Sequence, residues 1–421
     1  MVHFNYLLYS FIAILSASTT LRWLLSHINI AYLRRHGKDA PESFEGELDV
    51  ETLSRMTDYT ADTSRLESFE SILDDVAILV LLLSGALNWL VQIVARHVNG
   101  PVLSGILFFS VLLILKYIME IPFGIYSTFV IEKKYGFSTI TPRLWISDLF
   151  KEILISLVLM VLLLGPVLGL VYHVKTYWWL LVWIFFVSFQ VFLLWIYPVV
   201  IIPMFYEYSE VEDQDLKSDI ISIAEKAGIE VKGIYQINAG KRSRHTNAFF
   251  TGMGKTKRIV LYDTLIESHA KDEILSILAH EMGHWKRRHV LKQAFLMAIA
   301  SFAVLFFSSY LINWPVLYNT FGINPKIKYA GLFLIVIMLR PSAFFFTPVV
   351  SSISRRFEIQ ADTYSYNIMQ SAKPLIKALK RIAKENLANL FPHPAFAWFY
   401  YSHPPITERL GYLKEMERDT M

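Results

Sequence analysis

His280, Glu281 and His284, in the run Ser276-Ile277-Leu278-Ala279-His280-Glu281-Met282-Gly283-His284-Trp285-Lys286, make the pattern H-E-x-x-H. The flanking residues favour a helix, on which positions i and i+4 share a face, so His280 and His284 can offer two imidazoles to one metal ion. Glu281 is near enough to poise a water on that ion without being a ligand. Two nitrogens, a carboxylate and one open position suit zinc, one ion per chain. Alone, the pattern arises about as readily by chance in a long helical chain. The elements around it have to decide.

The chain has 421 residues, of which 54% are hydrophobic and only 18% charged. A mean hydropathy of +0.41 is not that of a soluble enzyme and predicts several membrane spans. The net charge of +4 argues against a nucleic-acid partner. There is no cysteine, so a disulfide framework, a thiolate metal site and a thiol nucleophile are excluded. Any metal must sit on His, Asp or Glu.

Apolar runs predict seven spans: residues 4–25, 76–95, 102–121, 153–174, 178–205, 290–312 and 329–350. The first lacks a basic stretch before it and reads as a retained span rather than a signal peptide. Pro198 and Pro203 interrupt the fifth. The polar stretch 34–75 reads as a loop with short helices. Basic residues concentrate in alternate loops: Arg34, Arg35, Lys38, Arg55 and Arg65; Lys133, Lys134, Arg143 and Lys151; Lys241, Arg242, Arg244, Lys255, Lys257 and Arg258. The positive-inside rule puts those loops, the metal motif and the C-terminus on the cytosolic side.

Before the motif, residues 206–279 are long enough for a small domain. Residues 215–227 read as an amphipathic helix stopped by Gly228, and 232–237 and 258–262 alternate like strands. Residues 354–421 are mostly helical and charged. The expected organisation is a membrane region with five spans at 1–205, a metallopeptidase part at 206–289, two further spans at 290–350, and a C-terminal helical part at 351–421.

Two histidines and a water leave zinc one protein ligand short. Glu358, in Arg355-Arg356-Phe357-Glu358-Ile359-Gln360-Ala361-Asp362, follows the seventh span on the side of the motif. Asp362, one turn on, suits a carboxylate that orients an imidazole through its other nitrogen. On position alone, an exposed helix with ordinary surface ion pairs accounts for this stretch slightly better. His173, His269, His289 and His393 read as surface or membrane-boundary residues, and Phe344-Phe345-Phe346 as lipid-facing or core packing. Lys116, Glu120 and Arg340 lie in or near spans, where charge needs a partner or water.

Several stretches together resemble the type I CAAX prenyl proteases, membrane zinc metallopeptidases that process farnesylated proteins. They are Thr128-Phe129-Val130-Ile131-Glu132-Lys133-Lys134-Tyr135-Gly136-Phe137; Lys241-Arg242-Ser243-Arg244-His245-Thr246-Asn247-Ala248-Phe249-Phe250; Lys257-Arg258-Ile259-Val260-Leu261-Tyr262-Asp263-Thr264-Leu265; the metal helix; Ser354-Arg355-Arg356-Phe357-Glu358 with Ala361-Asp362; and Ser402-His403-Pro404-Pro405. The resemblance runs from about residue 118 to the C-terminus and is weaker before it. It implies seven helices enclosing a chamber, with a cytosolic-side, zincin-like domain containing a short β-sheet. It also implies His280, His284 and Glu358 as zinc ligands and Glu281 as general base. Asn247 and His403 match positions that contact substrate or transition state. Apart from the resemblance, a turn-forming Asn and a helix-capping His explain them. Ala248, beside Asn247, lies where an extended substrate could add as a β-strand.

The expected partners are a peptide or protein substrate carrying a lipid, and membrane lipid. Met282 stands where many relatives have Leu. Residues 263–273 lack the long acidic insertion of some eukaryotic relatives and are closer to bacterial members, which points to a bacterial plasma membrane, or to the endoplasmic reticulum in a eukaryote. A broad quality-control metalloprotease of the HtpX-like kind is the alternative enzyme, and a channel or scaffold the alternative outside enzymes. A site-2-type intramembrane protease fits less well, because Lys286, Arg287 and Arg288 follow the motif directly.

Overall fold

A computed structural model describes residues 2–251 and 258–419; Lys255 and Lys257 of the basic loop lie outside them. The first span is helix α1 (Tyr6–His36), whose start is capped by Asn5 Oδ1 accepting from the Leu8 amide at 3.2 Å. It runs well past the apolar stretch. The next helix overturns the expectation of a loop over 34–75: α2 (Val50–Leu83) is continuous for 34 residues and carries the polar segment straight into the membrane. Asp49 caps it through the Thr52 amide at 2.7 Å. The polar half contains no Gly or Pro, and Leu53, Met56 and Ala61 give it a buried stripe. At Gly85, whose φ of 83° suits only glycine comfortably, the chain turns by 63° into α3 (Ala86–His97).

α4 (Pro101–Tyr126) passes through a widened π turn at Ser127–Ile131 into the short α5 (Glu132–Tyr135). α6 (Pro142–His173), capped by Thr141, and α7 (Trp178–Ile196) follow. A second π turn, Tyr197–Ile201, absorbs Pro198 before α8 (Ile202–Phe205). After the metallopeptidase part come α12 (His289–Leu311), the short α13 (Pro315–Asn319) and α14 (Lys328–Phe344), which bends by 61° into α15 (Thr347–Met369). Among the described residues five helices are long and apolar enough to cross a membrane, and up to seven spans result when each bent pair counts as one.

Packing between the spans is concentrated at one end. Phe108 of α4, Leu168 and Val171 of α6, Trp178 and Val182 of α7 and Tyr329 to Ile335 of α14 share a core with α3 and with Tyr318 and Phe321 at α13. Away from that end the spans bury little. In α6 only Leu168 and Val171 are buried, and in α12 only His289 and Ser308, at its two ends. Over most of their length the residues of α6 and α12 are partly or fully accessible. The charged residues there are paired: Lys116 with Glu120 at 3.2 Å, Arg22 with Asp75 at 3.3 Å, and Arg340 with Asp75 at 3.7 Å.

The metallopeptidase part contains a four-stranded sheet in the order β1-β2-β4-β3. The strands are β1 (Tyr208–Glu210), β2 (Gly233–Ile237), β3 (Ala248–Thr251) and β4 (Arg258–Tyr262). β2 and β4 are the two strands expected from alternation, and they pair in parallel. β3 lies antiparallel to β4 at one edge. The expected amphipathic helix is α9 (Gln214–Lys226), ended at Gly228 with φ 64°. Its apolar face, the sheet and α11 (Lys271–Lys286) share a second core, and α10 (Asp263–Ser268) links β4 to α11. Beyond α15 the chain continues through α16 (Lys373–Glu385), α17 (Pro394–Tyr400) and α18 (Ile406–Arg418). A third core ties Leu53 and Met56 of α2, Ile131, Tyr135 and Phe137 to Leu375, Leu379 and Leu410 of these last helices.

Candidate metal centre

The site is set by how closely α11 and α15 approach. A Cβ at Gly283 would meet the Ala361 Cα at 2.9 Å, so only glycine allows this crossing. Ala279 and Ala361 are fully buried alongside. The Ser365 hydroxyl donates to the Ser276 carbonyl at 2.8 Å. At its start α11 is fixed by Glu273, which accepts from the Ala270 amide at 3.0 Å and from Arg381 of α16 at 2.8 and 3.2 Å.

This crossing brings His280, His284 and Glu358 together, with one donor atom from each within 4.8 Å of the others. The two Nε2 atoms are 3.1 Å apart. Glu358 Oε2 is 3.4 Å from His280 Nε2, and its Oε1 is 3.2 Å from His284 Nε2. A tetrahedral ion with bonds of ~2.0–2.1 Å places its donors ~3.3 Å apart, which is the spacing seen. The buried Oε2 of Glu358 has no hydrogen-bond partner, Arg409 Nη1 lying 3.9 Å away, so it is left open to a metal ion. The donor set therefore fits a metal ion.

Each imidazole is held from behind. His280 Nδ1 is 2.7 Å from Asp362 Oδ1. Arg409 of α18 grips that carboxylate with two bonds, Nε to Oδ2 at 2.9 Å and Nη2 to Oδ1 at 2.6 Å. Burial works against charge on His280, but bonding to Asp362 and Glu358 prevails and raises its pKa to about 9; the pocket attracts positive charge. His284 Nδ1 is 3.0 Å from His289 Nδ1.

Glu281 is one residue from the ligand pair, and no hydrogen bond from a described residue engages its carboxylate. Burial raises its pKa, which the nearby histidines only partly offset. His403, an exposed side chain, stands at the rim of the site in the loop before α18, with Nε2 at 3.4 Å from Glu358 Oε1. It does not cap a helix: α18 begins at Ile406 with Pro405 as its cap. Asn247 stands immediately before β3, and its Oδ1 accepts from the Ala248 amide at 2.8 Å. It touches none of the three converging side chains. β3, including the buried Ala248, lies alongside α11, and among the described residues no strand pairs with its outer edge.

Of the histidines expected at the surface or membrane boundary, His269 and His289 are buried, the latter at the first position of the spanning helix α12. His269 packs at the end of α10, where the chain turns into α11, and His289 backs onto the site. His173 is exposed, and His393 caps α17 through Nδ1 and meets Tyr32 edge-on. Arg409 and Gln360 were not singled out as functional. Nothing local marks Arg409, whereas the position of His289 five residues after His284 was a visible signal.

Residues 29–207 match the family described as CAAX prenyl protease N-terminal, five membrane helices. Residues 210–417 match peptidase family M48. The chain is 31% identical over 414 residues to CAAX prenyl protease 1 of Saccharomyces cerevisiae, covering 90% of each. It is also 31% identical over 390 residues to a CAAX prenyl protease 1 homolog of Oryza sativa subsp. japonica, again over 90% of each. The crystal structure of S. mikatae Ste24p is similar over 98% of this chain and 100% of that one, with a TM-score of 0.90 at 28% identity.

Proposed function

The chain belongs to the M48 peptidases of the CAAX prenyl protease type, multi-pass membrane metallopeptidases, and from that premise we propose that it hydrolyses peptide bonds near the C-terminus of prenylated CAAX proteins with one zinc ion held by His280, His284 and Glu358. The observation that carries this reading is the convergence of three donors at tetrahedral spacing around an unpartnered carboxylate oxygen. Bound there, zinc supplies a Lewis acid that polarises the scissile carbonyl and makes water more acidic.

The other steps belong to the chain's own side chains. Glu281, with its carboxylate free and its pKa raised by burial, accepts a proton from the attacking water and returns it to the departing amine. His403, beside Glu358, faces the developing oxyanion. The open edge of β3 receives the substrate as an added strand, with Asn247 and Ala248 at its start. Asp362, locked by Arg409, keeps the metal-facing nitrogen of His280 aimed inward.

The concentration of basic residues in alternate loops supports a site on the cytosolic side. A bacterial plasma membrane and the endoplasmic reticulum both allow that orientation; the yeast and rice relatives support the second. The family match carries a protease rather than a channel or scaffold.

The deciding experiment offers purified protein in detergent matched farnesylated and unfarnesylated CAAX peptides, with and without a zinc chelator. Chelator-sensitive cleavage confined to the lipidated peptide is expected. Equal cleavage of both peptides would keep the zinc chemistry and overturn the substrate. Glu281→Gln is expected to lose ~10²–10⁴-fold in kcat while binding zinc normally, and full activity in that variant would remove Glu281 as the base.

A further inference from the structure

The two histidines of the centre are backed by different chemistry. Behind His280 stands a carboxylate, Asp362, neutralised by Arg409. Behind His284 stands another imidazole. His289 is almost fully buried, with Nδ1 at 3.0 Å from His284 Nδ1 and Nε2 at 3.0 Å from Gln360 Oε1. Its ring stacks on Phe357 with centroids 4.2 Å apart and planes 8° from parallel.

The chain is bent to make this contact. On one continuous helix a residue five positions on lies ~140° around the axis, at 100° per residue, and would point away from His284. Between α11 and α12, however, Arg288 adopts the left-handed conformation with φ 56°, which is uncommon for a residue with a side chain. That single turn brings the first residue of α12 back against the last turn of α11.

The atoms admit one consistent pattern of protons. His284 Nε2 faces Glu358 and His280, so to hold a metal it must be bare, and the ring's proton then lies on Nδ1. The acceptor in reach is His289 Nδ1, which leaves the His289 proton on Nε2. That proton meets the Gln360 carbonyl oxygen, an acceptor. Each donor finds an acceptor, and the chain ends on a group that has no other protonation choice.

We propose that His289 is the positioning residue for His284, its imidazole accepting the Nδ1 proton of that ligand while Gln360 pins His289 in the tautomer able to do so. The inference deepens the reading of His284 as a ligand and rests on it.

The test is zinc affinity of the full-length protein in detergent, by competition with a chromogenic chelator, with thermal melting of the metal-free proteins alongside. His289→Phe keeps an aromatic ring against Phe357 and removes the acceptor; it is expected to weaken zinc binding ~10–100-fold. His289→Asn places Oδ1 where Nδ1 was and is expected to recover affinity to within ~3-fold of the native protein. Gln360→Met leaves the tautomer unpinned, with a loss of ~3–10-fold. Native affinity in His289→Phe overturns the proposal, as does an Asn variant that melts normally yet binds as weakly as the Phe variant. If His289→Phe does not fold, Gln360→Met decides, and native affinity there sinks the idea. His284→Ala separates the two levels of argument. A native protein that binds no zinc, or a His284→Ala variant that binds it normally, removes the ligand assignment itself; zinc lost in His284→Ala but unchanged in His289→Phe removes only His289.

Discussion

The packed end of the membrane region and the crossing of α11 with α15 are both tightly buried, but by opposite means. At the membrane end, large side chains interlock: Phe108, Tyr318, Phe321, Leu168 and Tyr329. At the crossing, almost nothing stands between the helices, because Ala279, Gly283 and Ala361 let the backbones approach, and charged groups surround the contact. The first kind of packing tolerates changes of shape that conserve volume. The second fixes position, since the metal-facing nitrogens and Glu358 sit at spacings of 3.1 to 3.4 Å. The joint holds the ligands rigidly where the chemistry is done.

The largest effect expected at the joint comes from Arg409→Met. Asp362 would be left buried with its charge met only by His280, and loss of one partner of a buried pair costs ~3–5 kcal/mol. Melting of the metal-free protein should fall accordingly, and zinc affinity with it. Unchanged melting would show that α18 merely lies over the site. Gly283→Ala comes next. A Cβ 2.9 Å from the Ala361 Cα must push α11 off α15, at ~1–3 kcal/mol for overpacking. The discriminating sign is kcat falling more than stability does, because displacement of a few tenths of an ångström spoils ligand spacing before it unfolds anything. A variant with native kcat would mean the crossing is compliant.

Acid probes the α10–α11 end of the metallopeptidase part. Burial pushes the His269 pKa down from 6.5 to about 4, and its Nε2 has no hydrogen-bond partner. Between those values the unfolded chain binds the proton and the folded chain does not, so stability rises with pH. The contribution is complete above 6.5 and is lost as pH falls toward 4, amounting to ~2 kcal/mol at pH 5. His269→Asn should therefore show a smaller drop in melting temperature between pH 7.5 and pH 5 than the native protein. An equal drop would assign acid sensitivity to other groups.

Periodic or uninterrupted signals were legible in the sequence: the spans, α9, β2 and β4, and the H-E-x-x-H helix. The long α2 was misread because polar composition was taken for a loop, although no Gly or Pro interrupts Val50 to Leu83 and tertiary packing on the C-terminal helices supplies its buried stripe. Glu358 and Asp362 were placed by resemblance; position alone left them indistinguishable from a surface helix. Arg409 was invisible because its partner lies 47 residues away. His289 reads from sequence as a surface or membrane-boundary residue, because the left-handed turn at Arg288 that folds it back has no glycine to announce it.

The smallest effect is expected where the spans part. Val161 lies in the long stretch of α6 without a buried residue and is 41% exposed, whereas Leu168, two turns on, is fully buried. Leu168→Ala empties a packed position beside Gly105 and Tyr329 and should cost ~2–5 kcal/mol. Val161→Ala trims a side chain that is 41% exposed and should change stability by less than ~0.5 kcal/mol. Melting both variants in the same detergent makes the difference independent of how the detergent shifts the scale. Equal destabilisation would mean that α6 is packed along its whole length. A large gap between them would leave the spans free to stand apart while α11 and α15 hold the site.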